Sequence, residues 1–203
     1  VGRNYAAHAR EMGADLREPP CFFVKDADAY APSGGVVPYP PATSDYHYET
    51  ELVVAIGAEG FDVAPEAANR LIFGYAVGLD MTRRDLQSAA KKAGLPWDTG
   101  KNFPGAAPLG AITPSAEAGA IAVADITLQV NGAVRQHSVI ADMIWSVPEI
   151  IAHLSKLYVL KPGDLIFTGT PEGVGPVQPG DQLVARVSGL SELEVRIGAP
   201  PAR

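Results

Sequence analysis

Apolar residues recur along this chain in two patterns, short unbroken runs and strict alternation, and both predict strands. Glu51 to Ile56 is a near-continuous apolar run closed by Gly57, as expected of a strand buried on both faces. Ile126 to Val130 and Ala133 to His137 flank Asn131-Gly132, a dipeptide that favours the tight turn of a two-stranded hairpin. Further strands are expected at Gly74 to Leu79, Leu165 to Thr168, Leu183 to Val187 and Leu193 to Ile197. Helical periodicity is rarer. Ser146-Val147-Pro148-Glu149 reads as a capping box with proline in the first turn, opening a helix from about Pro148 to Leu157. Thr82 to Asp85 reads as a similar cap for a helix ending near Gly94, and Asn4 as the cap of a short helix from Tyr5 to Met12 stopped by Gly13. Strands outnumber helices and no βαβ alternation or repeat is visible, so the expectation is a β-rich α+β fold with peripheral helices.

Glycine (21) and proline (18) are spread evenly, which suggests many short elements and no linker, hence one domain over residues 1–203. At 203 residues and 47% hydrophobic, the chain can bury one substantial core. A net charge of −7 argues against a nucleic-acid or anionic-membrane partner, because neutralising phosphates requires clustered cations, and points to small ligands. No apolar run is long enough to span a bilayer, and Val1 to Arg10 lacks the order of a signal peptide. The sequence opens at Val1 without a methionine, so a preceding leader is left open. The single cysteine, Cys21, beside Phe22 and Phe23, reads as packing and fits a reducing, cytoplasmic setting.

Candidate chemistry begins at Asp45-Tyr46-His47-Tyr48-Glu49-Thr50-Glu51, where strand alternation would put Asp45, His47, Glu49 and Glu51 on one face. Glu49 and Glu51, roughly 7 Å apart along a strand, could converge on one cation. Alone, Glu-x-Glu reads better as a solvated strand face. The apolar residues that follow instead carry this strand into the core, where unpaired carboxylates are costly. Asp80, just after the Gly74 to Leu79 strand, is a third carboxylate and reads equally well as a second helix cap. Three carboxylates would form an all-oxygen set suited to Mg²⁺ or Mn²⁺, whereas zinc is disfavoured by the lack of a cysteine cluster. His8 and Glu11 fall three apart on the first predicted helix. The carboxylate could orient the imidazole as a base, although on these residues alone an ordinary surface pair is favoured.

The order of Gly2-Arg3-Asn4-Tyr5, Glu49-Thr50-Glu51, Gly78-Leu79-Asp80-Met81-Thr82-Arg83-Arg84-Asp85-Leu86-Gln87, Gly100-Lys101 and Thr168-Gly169-Thr170-Pro171 resembles the fumarylacetoacetate hydrolase family over nearly the whole chain. Within that family it looks closest to the members that cleave acylpyruvates. The resemblance implies a compact mixed β-sandwich roll, usually a homodimer, with metal on Glu49, Glu51 and Asp80 and a water-activating pair on His8 and Glu11. It implies substrate contacts at Arg84, Gln87, Lys101 and Thr170, with Lys25 at a further basic position. The implied activity is metal-dependent hydrolysis of a C–C bond in a fumarylpyruvate-like oxo acid, as in the breakdown of aromatic compounds. Arg83 or Arg3 could hold the far carboxylate of such a substrate. Oxaloacetate decarboxylation, isomerisation or hydration would use the same metal set, and a non-catalytic oxo-acid-binding protein is the reading of another class. Two departures stand out: Asn102 to Ala106 replaces the family's usual Ser-Phe-Asp after the lysine, and Asp26 stands where proline is common.

Overall fold

The computed structural model describes residues 1–6 and 18–201. The predicted helix from Tyr5 to Met12, with His8 and Glu11, therefore falls largely outside the described residues. Among those described, three sheets are present. A six-stranded sheet runs, in spatial order, Tyr30–Pro32, Ala107–Leu109, Ile72–Leu79, Thr50–Ile56, Leu165–Phe167, with Thr113–Pro114 also paired to Ile72–Leu79. A five-stranded sheet runs Ala133–Val139, Asp125–Val130, Gln182–Val187, Leu193–Gly198, Val36–Pro38. Gly175–Pro176, Tyr46–Tyr48 and Thr82–Arg83 form the third. The mixed, β-rich roll expected from the sequence is the fold observed.

The core lies between the two larger sheets. In the five-stranded sheet Ile126, Leu128, Leu183, Ala185, Val187, Leu193, Val195 and Ile197 are all buried, at alternate positions of their strands. They meet Leu52, Val54 and Ile56, which form one face of the Thr50–Ile56 strand. Val53, on its other face, packs with Ala76, Leu109 and Phe167. Every residue of that strand is thus buried, which explains its unbroken apolar run. Burying each such side chain favours folding by about 1.5–3 kcal/mol, so the strand carrying Glu51 is anchored at the centre of the molecule.

The hairpin turn forms as predicted, with φ of 51° at Asn131 and 80° at Gly132. The Val147–Ser155 helix also starts as expected: Glu149 accepts hydrogen bonds from Ser146 N at 2.8 Å and Ser146 Oγ at 2.6 Å. The Arg84–Ala93 helix ends at Gly94 in the left-handed conformation, but its start differs from the prediction. Thr82 lies in a short strand and does not cap the helix, because its hydroxyl donates to Asp80 O and accepts from Lys101 Nζ. Asp85 instead pins the distant segment ahead of the Tyr46–Tyr48 strand, accepting from Thr43 Oγ1 at 2.6 Å and Ser44 N at 3.1 Å. Lys101 ends a short helix, Asp98–Lys101.

Candidate metal centre and substrate cavity

Glu49 occupies the single residue between two strands, where the chain leaves Tyr46–Tyr48 and enters Thr50–Ile56. Pairing of Thr50 with Leu79 sets the register that brings Asp80 alongside, and Asp80 N donates to Glu49 O at 2.8 Å. Glu49, Glu51 and Asp80 are only 5%, 1% and 1% exposed, and each offers a carboxylate oxygen within 4.8 Å of the others. This convergence decides between the two readings of Asp80. It belongs to the carboxylate cluster, and the helix begins only at Arg84.

Such a concentration of negative charge in the interior requires counter-charge. Lys101 Nζ lies 2.8 Å from Glu49 Oε2, 2.7 Å from Asp80 Oδ2 and 2.7 Å from Thr82 Oγ1. Burial alone would lower its pKa, but Asp80 and Glu49 outweigh burial and hold the ammonium above the usual lysine range. Lys25 Nζ stands 2.8 Å from Asp80 Oδ1 and donates to the carbonyls of Lys101 and, at 3.0 Å, Ala106. There burial dominates and pulls the pKa down despite Asp80. Arg84 Nη2 pairs with Glu49 Oε1 at 2.5 Å, and Arg84 Nη1 donates to Gln87 Oε1 at 2.7 Å.

Glu51 is treated differently. Among the described residues no cationic side chain forms an ion pair with it, and its Oε2 accepts only the Gly169 backbone N–H, at 2.7 Å. Burial, opposed by the positive N-terminus of Val1 and reinforced by Asp80 and Glu49, pushes its carboxyl up to about 8. A buried acid with no cationic side chain paired to it among the described residues, beside two more carboxylates, fits an all-oxygen site for a hard divalent cation such as Mg²⁺ or Mn²⁺. The bond to Gly169 depends on a backbone that only glycine adopts readily, φ 105°, and a Cβ there would meet Asn4 Cβ at 2.6 Å. Asn4 holds this turn from outside: its amide donates to Thr168 O at 2.8 Å and Trp145 O at 2.9 Å, and its oxygen accepts from Trp145 N at 2.8 Å.

A cavity opens beside Glu49 and Glu51. Glu49, Glu51, Arg84, Gln87, Lys101 and Thr170 line it, together with Arg3, Phe23, Lys91 and Trp97. Gly100 lets the lysine-bearing helix approach, since a Cβ there would lie 2.9 Å from Gln87 Cβ. One contributor escaped the sequence reading. Gln136, 1% exposed, accepts from Thr50 N at 3.0 Å and donates to Thr170 Oγ1 and Pro171 O, each at 2.8 Å. It therefore occupies Thr170 as an acceptor and leaves that hydroxyl free to donate into the cavity. It points inward beside a register irregularity between Val134 and Gln136, which alternation along the strand does not reveal.

Not every candidate joins the site. His47 Nε2 pairs with Asp45 Oδ1 at 2.7 Å, apart from the carboxylate cluster. Lys25 supports Asp80 and the Lys101 backbone and is not among the residues lining the cavity. Arg83 stacks over Phe103 at 4.2 Å and donates to Thr99 O, whereas Arg3 does reach the cavity.

The fumarylacetoacetate hydrolase C-terminal family model matches residues 1–198. The chain belongs to the fumarylacetoacetate hydrolase family. It is 51% identical over 181 residues to a fumarylpyruvate hydrolase of a Ralstonia species, covering 87% of this chain and 92% of that protein. It is also 41% identical over 200 residues to the mitochondrial oxaloacetate tautomerase of Homo sapiens, covering 98% and 90%. The crystal structure of fumarylpyruvate hydrolase from Pseudomonas aeruginosa in complex with Mn²⁺ and pyruvate superposes with a TM-score of 0.95 at 52% identity, covering 98% of this chain and 87% of that one.

Against the family pattern, the two departures noted in the sequence turn out to be partners. Asp26 N donates to Asn102 Oδ1 at 2.9 Å, and Asn102 Nδ2 donates to Asp26 Oδ2 at 2.6 Å. The pair ties the segment carrying Lys25 to the one carrying Lys101, so the altered loop leaves Lys101 on Glu49 and Asp80. Because Asp26 is exposed and Asn102 half-buried, a double-mutant cycle of Asp26→Ala and Asn102→Ala should give a coupling of about 0.5–1 kcal/mol in denaturant unfolding. Strict additivity would mean that the two changes are independent.

Proposed function

We propose that this chain hydrolyses a C–C bond in a fumarylpyruvate-like acylpyruvate, releasing pyruvate and an organic acid, with Mg²⁺ or Mn²⁺ held by Glu49, Glu51 and Asp80. The observation that carries this reading is the convergence of those three buried carboxylates, two of which, Glu49 and Glu51, line one cavity with Lys101, Arg84 and Thr170. Similarity to fumarylpyruvate hydrolases in sequence and fold supports it. A cation bound there would supply Lewis acidity to the 2-oxo acid end of the substrate.

The chain's own residues carry the rest. Arg84 and Lys101 hold the carboxylate and enolate oxygens, while Gln87 and the Thr170 hydroxyl fix orientation through neutral hydrogen bonds. His8, oriented by Glu11, takes a proton from water as the water oxygen bonds to the distal carbonyl carbon. Collapse of the tetrahedral intermediate breaks the C–C bond, and the bonding pair passes into pyruvate enolate. The Lys101 ammonium stabilises the developing charge until the enolate carbon is protonated. His8→Ala should lower kcat by at least about 100-fold, as loss of a general base does, with Mn²⁺ affinity retained. Near wild-type turnover would remove His8 from the mechanism.

A second reading has support of its own. Similarity to oxaloacetate tautomerases makes proton transfer on oxaloacetate an alternative that needs the same oxo-acid grip without hydrolytic water. Loss of enol absorbance from fumarylpyruvate, acetylpyruvate and oxaloacetate, measured in parallel with Mg²⁺, Mn²⁺ or EDTA, separates the two. Metal-dependent loss fastest on fumarylpyruvate, with pyruvate released, supports the hydrolase, whereas oxaloacetate enol loss without pyruvate supports the tautomerase. A Lys101 displaced from the carboxylates would favour a non-catalytic binding protein, whereas Lys101 Nζ is 2.7 Å from Asp80 Oδ2. A homodimer, a single catalytic unit over residues 1–203 and a cytoplasmic setting belong to the same proposal. Among the described residues, no helix is long and apolar enough to cross a membrane.

A further inference from the structure

The Arg84–Ala93 helix presents more than one cation to the cavity. Arg84, Gln87 and Lys91 fall at i, i+3 and i+7, one face of the helix, and all three line the cavity wall. At 1.5 Å rise per residue, Lys91 stands about 10 Å further along the axis than Arg84. Arg84 is engaged with Glu49, and Lys101 and Lys25 are likewise engaged with the carboxylate cluster. Among the described residues Lys91 has no carboxylate partner. Its ammonium instead lies 4.7 Å from the ring centroid of Trp97, which also lines the cavity. A cation–π contact positions a half-buried ammonium without neutralising it, so it remains available to an anion. Arg3, which also lines the cavity, is within 3.8 Å of Glu18.

We propose that Lys91 is a specificity-determining residue that holds the distal carboxylate of a dicarboxylic 2-oxo acid, while the other end lies over Glu49, Glu51 and Asp80; this rests on the oxo-acid reading of the site. A substrate with a carboxylate at each end, as fumarylpyruvate has, then meets a cationic group at each end of one helix face. The electrostatics agree. Burial, then the positive charges of Arg3 and Arg84, push Lys91 down to about 8, with Lys101 adding to the effect and only Glu49 opposing it. Cations outnumber carboxylates among the charges that act on Lys91, and a ligand carboxylate would offset them.

Calorimetric titration of the Mn²⁺-loaded protein with 2-oxoheptanedioate and 2-oxoheptanoate, which differ only in the distal carboxylate, tests this without turnover. The wild type should favour the diacid by about tenfold or more, the Lys91→Met ratio should fall to near unity, and Lys91→Arg should keep the preference. The wild-type preference should also decline as pH rises above about 8 and Lys91 loses its proton, whereas Lys91→Arg should hold its preference. Equal preference in wild type and Lys91→Met, or no preference in the wild type, would overturn the proposal. A Lys91-dependent diacid preference in a protein that leaves fumarylpyruvate uncleaved would support this assignment while removing the hydrolase reading.

Discussion

Lys101→Met is expected to destabilise the metal-free protein by about 3–5 kcal/mol and to lower kcat by about 10²–10³-fold. Methionine roughly matches the length of lysine, so packing against Phe23 and the short helix is largely preserved and the change isolates the charge. What is lost is one ammonium donating to Glu49 Oε2, Asp80 Oδ2 and Thr82 Oγ1 at a position only 2% exposed. Lys25 still faces Asp80 and Arg84 still faces Glu49, which favours the lower end of the stability range. Denaturant unfolding in EDTA and in Mn²⁺ separates the two roles. A bound divalent cation restores counter-charge and stabilises the folded state by mass action, so the gap between variant and wild type should narrow in Mn²⁺. A gap of equal size in both conditions would mean that Lys101 acts by packing and not as counter-charge.

The network around Lys101 also shows where reading the sequence stops. The long strands were legible because each has one or two faces against the core, and the Asn131-Gly132 turn and the Glu149 capping box are local devices that need no distant partner. Tyr30–Pro32 and Val36–Pro38 were not, since both are three residues long, end in proline and pair with distant strands, Tyr30 with Ala107 and Arg196 with Val36. The Thr82 cap was misread for a related reason. A threonine ahead of a helix normally bonds to the helix backbone, but here Lys101, brought close by Gly100, takes its hydroxyl. Glu49, Glu51 and Asp80 were visible as carboxylates near apolar strands, yet only the Thr50–Leu79 register makes them one cluster. Gln136 gave no usable signal, and Lys25 was visible only as a basic position of the family and not as a partner of Asp80, because every bond that defines them crosses to a distant segment. Lys91 resembled any other lysine on an exposed helix until Trp97 was placed under it.

Glu51→Gln should separate stability from function, moving them in opposite directions. Glu51 is raised from 4.5 to about 8 in the folded state, so at neutral pH it holds a proton that the unfolded chain has released. Stability therefore falls as pH climbs from the unfolded value through the folded one, because the folded state binds more protons across that window. Glutamine has the shape of the protonated carboxyl, keeps an oxygen for Gly169 N–H and has no such pH slope. In EDTA the variant should thus gain on wild type progressively between about pH 4.5 and about pH 8, and the difference should level off above. For a divalent cation the substitution removes a charged ligand, and affinity should fall by more than the roughly 10–100-fold that changing an outer partner produces, taking activity with it. In the wild type, cation binding must displace the Glu51 proton, so Mn²⁺ affinity should rise about tenfold per pH unit below about pH 8 and flatten above it. The variant's affinity should lack that slope. If Glu51→Gln instead proves several kcal/mol less stable than wild type at pH 7 in EDTA, Glu51 is ionised and paired in the folded protein. The proton-displacement account of metal binding would then have to be abandoned.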